Sequence, residues 1–243
     1  VSNIICCGRR EEGKTSLAIA IAKQRHAAVI AFDPRAMIVG VPVYGVDDLE
    51  EVIADGAWRE HVICYRFDSG DIDTELEEMC EFLFPPRFTK GAFALVIDEA
   101  GSQKIQTFHK IHPALDRAVR QHPTRPPEYA VTIIQTSHRL ADFHGASKSL
   151  MDELYIFNTS SPRDIEALED HTQMPDLVEI VRVLPKHHCV RYLYARQEEG
   201  VAQYEVWDKP EEWYIPATSH SGVLSAEDEN NKEEENANHA AEI

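Results

Sequence analysis

Val1-Ser2-Asn3-Ile4-Ile5-Cys6-Cys7-Gly8-Arg9-Arg10-Glu11-Glu12-Gly13-Lys14-Thr15-Ser16 is the stretch whose reading decides the fold. A short apolar run ends at Gly8. The pattern G-x-x-x-x-G-K-T then fills positions 8–15, and Leu17-Ala18-Ile19-Ala20-Ile21-Ala22-Lys23 follows, rich in good helix formers. Strand, glycine-bounded loop and helix in that order make a phosphate-binding P-loop, or Walker A motif. The backbone N–H groups of such a loop converge on an anion at the positive end of the helix. The pattern therefore predicts a nucleotide site lined by Gly8, Arg9, Arg10, Glu11, Glu12, Gly13, Lys14, Thr15 and Ser16. Lys14 supplies the point charge for the β- and γ-phosphates of ATP, and Thr15 a hydroxyl for Mg²⁺. Glu11 and Glu12 stand where small residues are usual. A carboxylate beside a triphosphate is repulsive unless it turns to solvent or to Arg9 or Arg10.

The second informative stretch is Gly91-Ala92-Phe93-Ala94-Leu95-Val96-Ile97-Asp98-Glu99-Ala100. An apolar run closed by Asp-Glu reads as a Walker B strand. Asp98 emerges at the carboxyl end, where ligands bind in open α/β sheets. It can hold Mg²⁺ opposite Thr15, and Glu99 can polarise an attacking water. Further along, Tyr129-Ala130-Val131-Thr132-Ile133-Ile134 is another buried strand, and Gln135 at its tip is the candidate reader of the γ-phosphate, with Arg139 as a weaker one.

Between these landmarks the pattern alternates strand and helix. Strands are expected at 27–32, 61–67 and 154–157, and helices at 47–58, 73–83, 105–121, from 161, and around 177–181. Positions 39–46 are apolar and glycine-punctuated without a clear period. Positions 189–194 and 202–207 resemble the two arms of a hairpin around Glu198-Glu199-Gly200. From 219 onward the composition turns polar. Positions 1–218 are thus expected to form one ATPase domain, followed by an acidic tail over 219–243 without a packed fold.

Composition narrows the function classes. The chain has 243 residues, 43% apolar and 27% charged, and a net charge of −18. Positions 226–243 carry seven acids against Lys232, leaving about −12 for the remainder. That balance excludes a general nucleic-acid-binding surface. Any DNA contact has to be local, with Arg35, Lys104, Lys110 and Arg125 available for it. No apolar run reaches the length of a membrane span, and no signal peptide is expected. The five cysteines (Cys6, Cys7, Cys64, Cys80 and Cys189) form no C-x-x-C and read as reduced apolar side chains. His109 with His112, and His187 with His188, lack partners at metal-binding spacing.

The ordered features are Walker A, a second strand ending in Asp33-Pro34, Walker B with Asp98-Glu99, an arginine-bearing helix, and a strand ending in Gln135. Leu154-Tyr155-Ile156-Phe157-Asn158-Thr159-Ser160-Ser161-Pro162-Arg163-Asp164 comes after them. Together they resemble the FtsK–HerA superfamily of DNA-translocating ATPases, from about position 2 to 168. The compact chain is similar to the small genome-packaging ATPases of viruses with an internal membrane and a double-jelly-roll capsid.

The resemblance implies a three-layer α/β/α P-loop fold, RecA/ASCE-like, with a mostly parallel central sheet. It implies a ring, usually a hexamer, with ATP bound between subunits. Lys14 and Thr15 would meet phosphate and Mg²⁺, Asp98 would meet Mg²⁺, Glu99 would be the catalytic glutamate and Gln135 the sensor. A neighbour's arginine would complete the site; Arg120 matches that position best, with Arg139 and Arg163 as alternatives. Double-stranded DNA is the implied partner, with capsid or vertex proteins beside it, in the host cytoplasm or on the virion. A small-molecule kinase, or a nucleotide-gated adaptor compromised by Glu11 and Glu12, are the other readings.

Overall fold

Alternation along the strands explains the architecture. The computed structural model describes residues 2–67, 71–84, 91–100, 126–143, 148–194 and 203–207. Strand β1 (Ser2–Cys7) is buried along its whole length. Ile4 and Cys6 belong to one apolar core, while Ile5 and Cys7 belong to another. The same two-residue period divides β2 (Val29–Phe32) into Val29 and Ala31 against Ile30 and Phe32, and β5 (Phe93–Ile97) into Ala94 and Val96 against Phe93, Leu95 and Ile97. Strands that are apolar on both faces need helices on both faces. On one side α1 (Lys14–Arg25) supplies Leu17, Ala18, Ile21 and Ala22. On the other, α2 (Val46–Asp55), α3 (Ile72–Leu83), α4 (Pro162–Thr172) and α5 (Pro175–Val183) supply Leu49, Leu76, Met79, Leu168 and Leu177 among others. The chain is a three-layer α/β/α P-loop NTPase fold.

The remaining strands are β3 (Val41–Tyr44), β4 (Val62–Arg66), β6 (Val131–Ser137), β7 (Glu153–Phe157), β8 (Cys189–Leu193) and β9 (Gln203–Trp207). Among the described residues they make one nine-stranded sheet in the order β3-β4-β2-β5-β6-β1-β7-β8-β9. Strands β1 to β7 pair in parallel, and β8 and β9 are antiparallel. The expected C-terminal hairpin arms are therefore present as the last two strands of the sheet. The apolar segment without a clear period contains the edge strand β3. There Pro42 is exposed and brings no N–H for a further strand, which blunts the edge.

Local chemistry sets the helix ends. Asp47 and Asp48 lie in the first turn of α2, where the helix dipole favours acids, and Gly56 in the left-handed region (φ 86°) stops it. The expected helix over 47–58 is therefore α2 followed by a 3₁₀ turn at Ala57–Arg59. Pro162 and Pro175 open α4 and α5 at positions where a missing N–H costs nothing. The expected helix over 105–121 and the tail over 219–243 lie outside the described residues. All five cysteines are free and buried. Burial pushes the thiols of Cys6, Cys7, Cys80 and Cys189 well up, away from reactive thiolate.

The antiparallel end of the sheet is held by an ionic cluster around the buried Glu153. Glu153 on β7 receives Arg25 from the end of α1 at 2.6 Å and Arg191 from β8 at 3.1 Å. Arg191 also reaches Glu205 on β9 at 3.4 Å and lies over the rings of Tyr155 and Trp207. Burial alone would raise the Glu153 carboxyl. Arg25 and Arg191 outweigh it and hold the group below 4.5, the ordinary glutamate value. Because the folded value is depressed, this contribution is complete above about pH 4.5 and is lost as pH falls through the folded value. Glu153→Gln is expected to cost roughly 2 kcal/mol at pH 7, discounted for the part-exposed arginines, or about 4–8 °C in Tm. The mutant should also show a flatter loss of Tm between pH 5 and pH 3. Parallel melting curves for the two proteins across that range would refute the assignment.

Candidate functional site

The loop after β1 turns on two glycines. Gly8 has φ 148° and Gly13 φ 96°, both in the region that L side chains avoid. A Cβ on Gly8 would also come within 2.5 Å of the Phe157 Cβ on β7. The loop can therefore pass against the neighbouring strand only without a side chain at position 8. Gly13 leads directly into α1, whose first turn carries no acid to compete with a bound anion.

Asp98 and Glu99 arrive from the other side of β6, which lies between β1 and β5. Thr15 donates from its Oγ1 to Asp98 Oδ1 at 2.7 Å, and Thr136 on β6 donates to the same oxygen at 2.8 Å. Glu99 has φ 57°, an uncommon conformation for a residue with a side chain. Its backbone N–H donates to Thr136 Oγ1 at 3.0 Å, and the N–H of Ala100 donates to the Thr136 carbonyl at 2.7 Å. Thr136 thus sets the turn that carries both carboxylates. Glu99 Oε1 meets His138 Nε2 at 3.0 Å and Arg35 Nη1 at 3.5 Å. Its Oε2 is buried and has no hydrogen-bond partner among the described residues.

Lys14 is 5% exposed and donates to the Arg9 carbonyl at 2.8 Å. Its Nζ is 3.3 Å from His138 Nδ1. Burial lowers its pKa, while Glu99, Cys7 and Asp98 work the other way. The same order holds at His138: burial lowers it, Glu99 opposes, and Lys14, Arg35 and Arg10 add to the lowering. Arg10, Glu11, Gly13, Lys14, Thr15, Ser16, Arg35, Asp98, Glu99 and His138 line one cleft of about 360 Å³.

Two loops fix the rim. Asp33, at the end of β2, is buried; it accepts the N–H groups of Met37 and Ile38 at 2.9 and 3.0 Å and Arg66 at 3.1 Å. That turn carries Arg35 into the cleft, and its Asp33-Pro34 signal was visible in the sequence. Asp164, from the Pro162-Arg163-Asp164 segment, accepts the Ala141 N–H and the Thr159 hydroxyl, both at 3.2 Å. It ties the exit of β6 to the exit of β7, and so holds His138 beside the P-loop.

The expected residues fare differently. Arg9 reaches Ser160 in the loop after β7. Glu12 turns away from the cleft: its Oε2 accepts the His187 N–H at 2.9 Å, and it is buried. Glu11 is exposed at the rim, with φ 62°. Gln135 is a correction. Its Nε2 donates to Asn3 Oδ1 at 3.0 Å in the interior, and it does not line the cleft. The register explains why. Ile97 pairs with Gln135, so Asp98 lies level with Thr136. Even-numbered positions of both strands face α1 and the P-loop, and odd-numbered ones face the other layer. His138, one period beyond Thr136, occupies the place expected of Gln135. Arg120 lies outside the described residues. Arg139 and Arg163 are exposed.

No protein-family model matches the sequence, and no curated protein does. Solved structures do match the fold. The genome packaging NTPase B204 of Sulfolobus turreted icosahedral virus 2, in complex with AMPPCP, superposes with a TM-score of 0.64 at 18% identity, covering 86% of this chain and 97% of that one. The same protein in complex with ATP-gammaS gives 0.64 at 19% identity over the same shares. B204, the DNA-packaging ATPase from Sulfolobus Turreted Icosahedral Virus, gives 0.61 at 16% identity, covering 86% and 97%. The chain therefore shares, over most of its length, the fold of these solved NTPases, which bears out the fold that the order of its motifs led us to expect.

Proposed function

We propose that the chain is an ATP-hydrolysing subunit of a double-stranded DNA translocase, a viral genome-packaging motor working as an oligomeric ring. The observation that carries the proposal is the meeting of Lys14, Thr15, Asp98 and Glu99 in one cleft at the carboxyl ends of β1 and β5. The likeness to packaging NTPases over nearly their whole length supports the motor reading.

The residues fit the expected group. A hydroxyl and a carboxylate oxygen, Thr15 Oγ1 and Asp98 Oδ1, form an all-oxygen pair of the kind Mg²⁺ takes while keeping most of its waters and the substrate phosphates. Thr15 and Asp98 would hold it, and when bound it would neutralise charge on the transferring phosphoryl group. Lys14 binds the phosphates, and the α1 N-terminus with the loop N–H groups cradles them. Glu99, with one buried oxygen unpartnered among the described residues, would accept a proton from water. Glu12 is spent on His187, so its charge does not oppose the triphosphate. An arginine from a neighbouring subunit (Arg120, Arg139 or Arg163) would complete the site.

Two measurements test the proposal. Linear double-stranded DNA is expected to raise the steady-state ATPase rate at least several-fold, and the mass in solution with an ATP analogue should be that of a ring. An ATPase rate that stays flat across DNA concentrations, with the ring assembled, would sink the translocase reading and leave an ATPase. A monomer whose ADP release needs a small-molecule acceptor would point to a kinase.

A further inference from the structure

The side chains around His138 form a run of contacts, from Lys14 through His138 to Glu99, that nucleotide hydrolysis as proposed does not use. His138 stands between the lysine and the glutamate of the cleft, 3.3 Å from Lys14 Nζ through Nδ1 and 3.0 Å from Glu99 Oε1 through Nε2. An ammonium has only protons to give, so Nδ1 must accept. Nε2 then carries the hydrogen and donates to the Glu99 carboxylate. A single neutral tautomer, with the hydrogen on Nε2, satisfies both contacts, and each neighbour by itself selects the same one. Lys14 meanwhile spends a second hydrogen on the Arg9 carbonyl. The P-loop lysine and the Walker B glutamate are thus joined through one imidazole.

We propose that His138 is a latch between the P-loop lysine and the Glu99 carboxylate, opened by the terminal phosphate of an incoming nucleoside triphosphate. The inference rests on reading the cleft as a nucleoside-triphosphate site. The ammonium of Lys14 cannot stay on Nδ1 and also turn fully to a phosphate oxygen. When it leaves, the imidazole keeps one anchor, Glu99, in place of two. The Glu99 carboxylate is then released from a position set by Lys14, and its orientation depends on whether a terminal phosphate is present. His138 is a positioning residue in this scheme. It acts through Lys14 and Glu99, and Asp164 keeps it in place by fixing the loop after β6.

The latch has a signature that a merely structural histidine lacks. Removing it relieves Lys14 of a competing partner but takes a donor from Glu99. In His138→Ala, a non-hydrolysable ATP analogue is expected to bind about fivefold more tightly by calorimetry, the size of one modest hydrogen bond. ADP, which offers Lys14 a β-phosphate but not the terminal phosphate that draws it fully off Nδ1, should gain less and bind within twofold of wild type. The kcat for ATP should fall about tenfold. His138→Gln, whose amide offers one acceptor and one donor, should move both quantities back toward wild type. Parallel shifts for ADP and the analogue, or an unchanged analogue affinity, would overturn the latch while leaving the nucleotide site standing. Failure of the wild-type protein to bind either nucleotide would remove the nucleotide-site reading and the latch together.

Discussion

Glu99→Gln is expected to lower steady-state ATP hydrolysis by about 10³-fold, equivalent to roughly 4 kcal/mol of barrier, while ATP affinity stays within a few-fold of wild type. The substitution is nearly isosteric. The amide oxygen can still accept from His138 Nε2, and Thr136 still receives the backbone N–H at position 99. The left-handed backbone at φ 57° is no harder for Gln than for Glu. What disappears is the basicity of a buried carboxylate, one oxygen of which has no partner among the described residues. Equilibrium binding of a fluorescent ATP analogue and release of inorganic phosphate, measured on the same preparation, check the two halves separately. A mutant that still hydrolyses within tenfold of wild type would move the general base elsewhere.

Lys14→Ala should weaken ATP binding by about 30- to 100-fold, the scale of one lost charge-assisted hydrogen bond to phosphate. The buried ammonium now lies among Glu99, Asp98 and the Arg9 carbonyl. Its removal takes a buried positive charge from beside Asp98 and Glu99 and leaves Arg35 as the cation on Glu99, so a modest change in Tm is expected as well. Far-ultraviolet circular dichroism should be unchanged, since the lysine opens α1 without a capping role and Gly13 still sets the turn. Calorimetric titration with the ATP analogue reads the effect. Affinity within threefold of wild type in a folded mutant would show that the phosphates are held by something other than this loop.

Much of the fold was legible in order along the chain, because its signals are local. A strand–loop–helix with glycines at 8 and 13 declares the P-loop through backbone geometry that nearby residues settle. An apolar run closed by Asp98-Glu99 declares the Walker B strand. The edge strand Val41–Tyr44 was not legible, because its burial pattern is irregular and Pro42 argues against a strand unless an edge is available for it. The two short arms 189–194 and 202–207 were recognisable as a hairpin. Their attachment to β7 was not, since it depends on Arg25, Glu153 and Arg191 meeting from three distant places.

The site divides along the same line. Lys14, Thr15, Asp98 and Glu99 could be named from sequence because each is bound to a motif whose spacing is short. Three things needed tertiary structure. Glu12 was a threat to the triphosphate until the turn before β8 supplied the His187 N–H to occupy it, a partner 175 positions away. Arg35 enters the cleft because Asp33 binds back onto its own loop and onto Arg66. Gln135 gave way to His138 because strand register, which a single strand does not contain, decides which parity faces the P-loop. By itself the sequence named the residues to which we assign phosphate and metal chemistry, since motif spacing and side-chain type suffice to name them. Only the packing of β1, β5 and β6 decided which neighbours touch them, since those contacts come from strands that lie side by side in the sheet and far apart in the chain.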